Sequence, residues 1–301
     1  MAGIFTEDKF EQAIIELLKN MGYIHIYAPE LVRDYSSPLL DETLNESLLN
    51  LNKSLPAEAI EEAISKLKNF ESGSLVQKNI VFMDYLQNGI TVKYYIKGEE
   101  RSSIVKLIDY EKADKNTLYV VNQFTFLENG NNRRPDIILF INGLPLVLME
   151  LKSPSKDEAG VENAFRQIRN YMKDIPSLFY YNAICVISDL SISKAGTITS
   201  GLDRFMEWKT KDGAYENNAY AQFDTFYEGM FQKERLIDIL KNFILFSNDG
   251  QRLTKILAGY HHYFAVRKAI ERAKIATKTD GKGGVFWHTQ GSGKSLSMVF
   301  Y

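Results

Sequence analysis

Two long apolar runs joined by an Asn-Gly pair constrain this sequence most strongly. Residues 133–154 read RRPDIILFINGLPLVLMELKSP, and Asn142-Gly143 separates two nearly continuous runs of large aliphatic side chains. Asn-Gly is typical of a tight turn between antiparallel strands, and strands that are apolar on both faces are buried. The sequence therefore predicts a buried β-hairpin over residues 135–152.

Three charged residues interrupt this hairpin, and the register decides whether they meet. With a two-residue loop, Asp136 falls opposite Met149 and on the other face from Glu150. With an odd-numbered loop, or a β-bulge near residues 142–144, Asp136 falls directly opposite Glu150, and side-chain alternation adds Lys152 to the same face. We expect the second arrangement, because charges in continuous apolar strands are costly unless they serve a purpose.

Two carboxylates and one ammonium at the end of a buried hairpin suggest a metal site. Carboxylates that lie close together repel each other unless a cation neutralises them, and hard divalent cations prefer oxygen ligands. Mg²⁺ held by Asp136 and Glu150 would neutralise a phosphodiester and acidify a water, while Lys152 would orient or stabilise the attacking hydroxide. The alternative is a salt bridge at a strand end. The apolar surroundings of the three charges favour a metal site for phosphodiester hydrolysis over this alternative.

In this sequence "RPD" is followed fourteen residues later by "ELK", and this pattern resembles that of the PD-(D/E)xK nuclease family. The resemblance implies an α/β core with a mixed sheet flanked by helices, and it implies that the Leu151 carbonyl is a further metal ligand. Gln167 and Tyr171 are similar to the Q-x-x-x-Y motif of RecB-like nucleases, whose members orient the active site and contact DNA. Glu11 in "FEQAIIELL" resembles the acidic residue that such nucleases place near the metal on their first helix.

Basic residues on the Q-x-x-x-Y helix have two interpretations. Arg166, Arg169 and Lys173 follow helical spacing and could face DNA phosphates, or they could form a solvated basic face.

The segment "GGVFWHTQGSGKSLSMVF" predicts a strand, a glycine-containing loop and a helix start, the arrangement of a P-loop. Backbone amides of the loop would cradle phosphates, Lys294 would reach the β- and γ-phosphates of ATP, and Ser295 would coordinate Mg²⁺. His288 stands where the motif has its first glycine. The candidate nucleotide-binding residues are Thr289, Gln290, Gly291, Ser292, Gly293, Lys294 and Ser295.

The order of these motifs resembles the N-terminal part of the restriction (motor-nuclease) subunit of type I restriction-modification enzymes. That resemblance implies a RecB-like nuclease domain followed by RecA-like, helicase-type motor domains, with ATP-driven translocation of double-stranded DNA and partner methylation and specificity subunits. It implies a type I site-specific deoxyribonuclease. His262 in "YHHYFAV" replaces a glutamine that contacts adenine in the family pattern. We expect the chain, which stops at Tyr301, to be a fragment that hydrolyses no ATP by itself.

The remaining pattern predicts two domains. Residues 1–248 would form the endonuclease domain, with a first helix over residues 7–20, a peripheral helical insertion at about 35–88, and helices at 199–210 and 231–246. Residues 249–301 would begin the first motor domain, with a strand at "GGVFWHT".

Composition limits the classes of function. The 301 residues carry 36 basic and 38 acidic side chains, so DNA contact must come from a local patch. The single cysteine, Cys185, excludes an internal disulfide and a multi-cysteine metal site. A signal-like N-terminus and long apolar runs are absent, so we expect a cytoplasmic protein without membrane contact.

Two other classes stay open. One is a catalytically inactive nuclease-fold module that serves a helicase-like assembly as a docking or DNA-binding platform. The other is a stand-alone P-loop ATPase, which is disfavoured because its ATPase part would comprise only about fifty residues.

Overall fold

A mixed β-sheet organises the chain, and helices cover both of its faces. The computed structural model describes residues 6–152, 160–189, 191–214, 223–279, 281–287, 291 and 293–301. The helices in these ranges are α1 Glu7–Asn20, α2 Asp41–Leu51, α3 Ala57–Lys68, α4 Leu75–Asn88, α5 Gly160–Asp174, α6 Pro176–Tyr180, α7 Phe223–Phe231, α8 Lys233–Asn242, α9 Tyr260–Ala276 and α10 Lys294–Phe300. The strands are β1 Ile24–Tyr27, β2 Ile90–Ile96, β3 Glu99–Val105, β4 Leu118–Asn122, β5 Phe126–Glu128, β6 Asn131–Arg133, β7 Ile137–Ile141, β8 Leu144–Leu151, β9 Ile184–Ser188, β10 Ser193–Gly196, β11 Ile244–Asn248 and β12 Leu253–Leu257.

In the described part of the chain, the main sheet has the strand order β1-β4-β7-β8-β9-β10. β1 runs parallel to β4, and β8 runs parallel to β9, whereas the other neighbours are antiparallel. The β7–β8 hairpin therefore lies in the middle of the sheet, as its apolar sequence predicts.

The hairpin contributes to the core on both faces. Ile137 and Leu139 belong to a large apolar cluster that includes residues of α1, whereas Ile138 and Phe140 belong to a second cluster that includes residues of α5. Alternate residues of one strand thus enter two cores, which explains why the strand is apolar throughout. The expected α/β fold with a flanked mixed sheet is confirmed at this level.

Helices α2, α3 and α4 form where the helical insertion was expected, but they are not peripheral. Leu48, Ile60 and Phe82 are fully buried in the same apolar cluster as Leu139 of the central sheet. A few large side chains on each amphipathic helix are enough to build this layer, although the rest of each helix is polar. The prediction of a peripheral position was therefore wrong.

Two predicted elements in the second half differ from the structure. Residues 199–210 form no α-helix: they contain a 3-10 turn at Leu202–Arg204 and a β-bridge from Met206 to Ala195, and nearby hydroxyls bond to the backbone. Thr197 and Thr199, for example, both donate to the Lys255 carbonyl. The predicted helix at 231–246 is divided into α8 and β11, and the turn between β11 and β12 falls at the predicted domain boundary.

The predicted strand before the P-loop is also absent from the described residues 281–287. Val285 and Trp287 are exposed there, and no described strand pairs with this segment. Within the described ranges, the helices are all too short or too polar to cross a lipid bilayer.

Candidate active site

A β-bulge in the hairpin sets the register of the candidate site. Leu139 pairs with Val147, but Phe140 pairs with Pro145, so that Leu146 is an extra residue on β8. Ile137 consequently pairs with Met149. The residues just beyond that pair, Asp136 and Glu150, lie at the same end of the hairpin.

The expectation of an odd loop or a bulge is thus confirmed, but the bulge lies beyond residues 142–144. The loop itself has two residues, and both Asn142 (φ 52°) and Gly143 (φ 83°) adopt the left-handed conformation of a tight hairpin turn. The buried Asn142 side chain accepts a hydrogen bond from the Thr117 amide at 2.8 Å and donates to the Leu107 carbonyl at 2.9 Å. These bonds fix the turn, so the register correction must occur within the strand.

The three predicted charged residues meet at the end of this hairpin. The Leu151 amide donates to Oδ2 of Asp136 at 2.7 Å. The Lys152 ammonium donates to Oε1 of Glu150 at 2.7 Å and to the Leu151 carbonyl at 2.8 Å. Glu150 is completely buried, and its Oε2 accepts no hydrogen bond from the described part of the chain.

The electrostatics show an excess of negative charge. Burial raises the pKa of Asp136 to about 6, with smaller contributions from the charges of Glu7 and Glu11, whereas the Leu151 amide and Lys152 oppose the shift. Burial and the Asp136 charge raise the pKa of Glu150 well above its usual value. Burial alone would lower the pKa of Lys152, but the Glu150 carboxylate raises it above its ordinary value. One ammonium does not compensate the buried acids.

These groups fit a small divalent cation. Oε2 of Glu150 is a buried acceptor that lacks a donor, and the Lys152 ammonium already contacts Glu150 and Leu151, two of the three expected ligands. Carboxylate and carbonyl oxygens suit Mg²⁺ or Mn²⁺. No cluster of three or more His, Cys, Asp and Glu side chains suited to a metal occurs among the residues described. Two carboxylates and a carbonyl would leave other coordination positions to water and phosphate.

Gln167 and Tyr171 lie beside this cluster on α5. Nε2 of Gln167 donates to the Tyr171 hydroxyl at 2.6 Å, and that hydroxyl makes a long hydrogen bond of 3.5 Å to the Arg134 carbonyl, two residues before Asp136. Burial and the neighbouring Glu150 charge raise the Tyr171 pKa. The pair therefore supports the backbone that carries Asp136.

Glu11 is buried next to the site but contacts amides. Its Oε1 accepts from Nδ2 of Asn122 at 2.7 Å, and its Oε2 accepts from Nε2 of Gln123 at 2.8 Å. The Gln123 amide in turn donates to the Asp136 carbonyl at 3.0 Å, and Gln123 adopts a left-handed φ of 57°. The motif reasoning did not identify Asn122, Gln123 or Glu7. For Glu7, the i, i+4 spacing from Glu11 indicates in the sequence that both acids lie on one face of the helix.

The basic residues of α5 have different environments. Arg169 donates to the carbonyls of Ile198 at 2.7 Å and Ser200 at 3.1 Å, so it supports the loop after β10. Arg166 is bonded to Asn163 in the preceding turn.

The P-loop residues are described only in part. His288, Thr289, Gln290 and Ser292 lie outside the described residues. Lys294 and Ser295 are exposed in the first turn of α10, which follows Gly293 at a left-handed φ of 82°. A Cβ on Gly293 would lie 2.7 Å from Nε2 of His262. The histidine that replaces the family glutamine thus packs against the end of the loop.

Comparisons with known proteins agree with the order of these elements. A family model described as the type I restriction enzyme R protein N terminus matches residues 4–204, and a SWI2/SNF2 ATPase model matches residues 261–301.

Individual relatives cover the whole chain. The type I restriction enzyme HindI endonuclease subunit of Haemophilus influenzae is 36% identical over 99% of this chain and 30% of its own length. The relative named MjaIXP endonuclease subunit, from Methanocaldococcus jannaschii, is 32% identical over 100% of the chain and 32% of its own length. The chain thus spans about a third of these relatives. It belongs to the family of type I restriction enzyme R protein N-terminal regions.

Proposed function

We propose that this chain is the nuclease part of an ATP-dependent type I restriction subunit, which cuts phosphodiester bonds of double-stranded DNA with Mg²⁺. The observation that carries the proposal is the bulged register of the β7–β8 hairpin. It brings Asp136, Glu150 and Lys152 to one buried end, where an acceptor oxygen lacks a donor. The relatives' names as endonuclease subunits support the same reaction.

Asp136, Glu150 and the Leu151 carbonyl are the groups that would hold the cation. When bound, Mg²⁺ supplies charge neutralisation at the phosphate and makes water more acidic. The Lys152 ammonium lies against two of these three groups, so in the metal-loaded site it would leave these contacts and turn toward the substrate. From there it orients the attacking water and stabilises negative charge on the phosphate.

The Gln167–Tyr171 pair has a supporting part in this proposal. The Tyr171 hydroxyl reaches the backbone of Arg134, and Gln167 holds that hydroxyl. A shift of this backbone would move Asp136, and small displacements in an active site reduce the rate strongly. Gln167 is only partly buried, and we propose that it also contacts the DNA.

The nucleotide part of the proposal concerns the complete subunit. Gly291, Gly293, Lys294 and Ser295, with the loop residues Thr289, Gln290 and Ser292, would bind the phosphates of ATP and its Mg²⁺ at the start of α10. In the complete subunit, assembled with methylation and specificity subunits, ATP hydrolysis would drive DNA translocation and supply the nuclease with DNA.

Two kinds of substitution in the assembled enzyme separate the two activities. Glu150→Gln and Lys152→Ala should reduce DNA cutting to background while DNA-stimulated ATP hydrolysis continues, because the two chemistries use different residues. Lys294→Ala is the reciprocal control and should remove ATP hydrolysis. Gel-based cleavage of a plasmid and phosphate release are the two measurements. Cutting that survives Glu150→Gln would refute the proposed site. It would favour the alternative in which this region is a catalytically inactive docking module of the assembly.

A further inference from the structure

Two neighbouring arginines precede Asp136, and their side chains have different environments. The Arg133 guanidinium pairs with the Asp174 carboxylate at 2.7 Å, and this arginine is partly buried. Arg134 is exposed, and within the described part of the chain its side chain has neither an ion pair nor a hydrogen bond. Of the two cations, Arg134 is therefore the one that the described fold leaves available to a ligand.

The backbone that carries Arg134 is held on both sides. Its own carbonyl accepts the long hydrogen bond of 3.5 Å from the Tyr171 hydroxyl. The next residue, Pro135, is buried and has a fixed φ, and the Asp136 carbonyl accepts a hydrogen bond from the Gln123 amide at 3.0 Å. A ligand contact made from this backbone has to order only the arginine side chain, so it loses less conformational entropy than a contact made from a mobile loop.

The proposed metal site opens to solvent beside Arg134. Glu150 is completely buried, whereas Asp136 is only partly buried and 21% of the Lys152 side chain is exposed. Two residues span at most about 7 Å of extended chain, so the backbone of Arg134 lies within that distance of the Asp136 backbone. A scissile phosphate has to approach from this open end to reach a cation held by Asp136 and Glu150.

A DNA strand brings more than one phosphate to this opening. The cation would neutralise the scissile phosphate, but the neighbouring phosphates keep their charge and lie outside the buried cluster. Lys152 is already bonded to Glu150 at 2.7 Å inside that cluster. An arginine binds phosphate through two parallel N–H donors, so Arg134 has the chemistry to bind a phosphate at the rim of the site.

We propose that Arg134 binds the DNA phosphate next to the scissile one and thereby positions the strand over the cation site. This inference rests on the proposed function, because it needs the scissile phosphate at Asp136 and Glu150. Arg134 then holds the substrate without contacting the cation, so its loss leaves metal binding intact. A phosphate contact carries no sequence information, and it therefore acts at any position on the DNA.

Plasmid cutting by the assembled enzyme, measured between about 50 and 200 mM salt with ATP hydrolysis followed in parallel, tests the assignment. Arg134→Ala should slow cutting about 10-fold at the lowest salt concentration, because it removes a charged hydrogen bond to the substrate. DNA-stimulated ATP hydrolysis should continue at the wild-type rate. Since one phosphate contact changes the slope of log affinity against log salt by about one, the cutting deficit should shrink about 3-fold over this range.

Two further variants and two measurements on the purified chain separate substrate binding from a structural role. Arg134→Lys keeps the charge but loses the paired donors, so it should restore part of the cutting and the wild-type salt dependence. Arg101→Ala removes the same charge from the β2–β3 hairpin, outside the main sheet, and is the matched control that should change neither quantity. Calorimetric titration with Mn²⁺ and thermal melting should give wild-type values for Arg134→Ala.

Cutting that is unchanged in Arg134→Ala, or a deficit that is the same at every salt concentration, would overturn the assignment. Weaker Mn²⁺ binding or a lower melting temperature in Arg134→Ala would overturn it as well, since either result would mean that the arginine supports the site itself. A wild-type chain that binds no Mn²⁺, or an Asp136→Asn variant that binds it normally, would instead refute the proposed function.

Discussion

Replacing Asp136 with asparagine should stabilise the metal-free chain. The Asp136 carboxylate is buried among other acids, and its pKa is raised from 3.8 to about 6. Asparagine has nearly the same shape, and its side-chain oxygen can still accept the Leu151 amide that now donates to Oδ2 at 2.7 Å. The substitution thus removes a charge that folding disfavours and keeps the hydrogen bond.

The size and pH dependence of this gain follow from proton linkage. A rise of the Asp136 pKa from 3.8 to about 6 corresponds to about 3 kcal/mol, an upper value because Asp136 is partly exposed. Above pH 6 the carboxylate is charged in both the folded and the unfolded chain, so the full penalty applies and the variant gains most. Below about pH 4 the carboxyl is protonated in both states, and the gain disappears.

Chemical denaturation of both chains in EDTA, at several pH values between about 4 and 8, measures the effect. The free energy of unfolding of Asp136→Asn should exceed that of the wild type by about 2–3 kcal/mol at pH 8, and the two should converge at pH 4. Mn²⁺ should reverse the order, because only the wild type gains stability from binding it.

Asp109→Asn is the matched control, and it should change the free energy of unfolding in the opposite direction. Although burial opposes it, the amides of Lys112 and Glu111 and the Lys115 ammonium lower the pKa of Asp109, so this variant should lose stability at neutral pH. An Asp136→Asn variant that is less stable than the wild type at pH 8, or a gain that is equal at pH 4 and 8, would refute the electrostatic reasoning.

Two further predictions concern the fold that supports the site. Lys255 is 1% exposed and donates only to Oδ1 of Asn79 and the Asn182 carbonyl among the described groups, and burial lowers its pKa from 10.5 to about 7. Above pH 7 the unfolded chain therefore binds more protons than the folded chain, so the free energy of unfolding should rise between about pH 7 and 10. In urea denaturation, Lys255→Met should flatten that rise. Gly143→Ala should destabilise the chain by at least about 2 kcal/mol, measured as a lower melting temperature, because φ is 83° and the new Cβ would lie 2.7 Å from the Leu40 carbonyl oxygen. A pH profile that is unchanged in Lys255→Met, or a neutral Gly143→Ala, would contradict these two expectations.

The hairpin and the meeting of its charged residues could be predicted because buried charges in apolar strands are conspicuous and side-chain alternation is strict. The position of the bulge could not, since Leu146 looks like every other aliphatic residue of β8. The fixed turn around Asn142 determines it, and that depends on contacts with Thr117 and Leu107 that are distant in sequence.

The surroundings of the site were less predictable because they too depend on contacts between residues that are distant in sequence. The family resemblance pointed to Glu11 on the first helix, but its partners Asn122 and Gln123 lie more than a hundred residues away. The two hydrogen bonds of Glu11 can form only after β4 is in place. The predicted helix at 199–210 is absent because of bonding that is also distant in sequence, namely that of Thr197 and Thr199 to the Lys255 carbonyl.

Anomalous diffraction from crystals of the chain soaked in Mn²⁺ tests the central claim most directly. The account predicts a manganese peak between Asp136 and Glu150 that is within ligand distance of the Leu151 carbonyl, with the Lys152 ammonium moved away from its present contacts. An ordered manganese elsewhere, with the Lys152–Glu150 ion pair still intact at saturating metal, would contradict it.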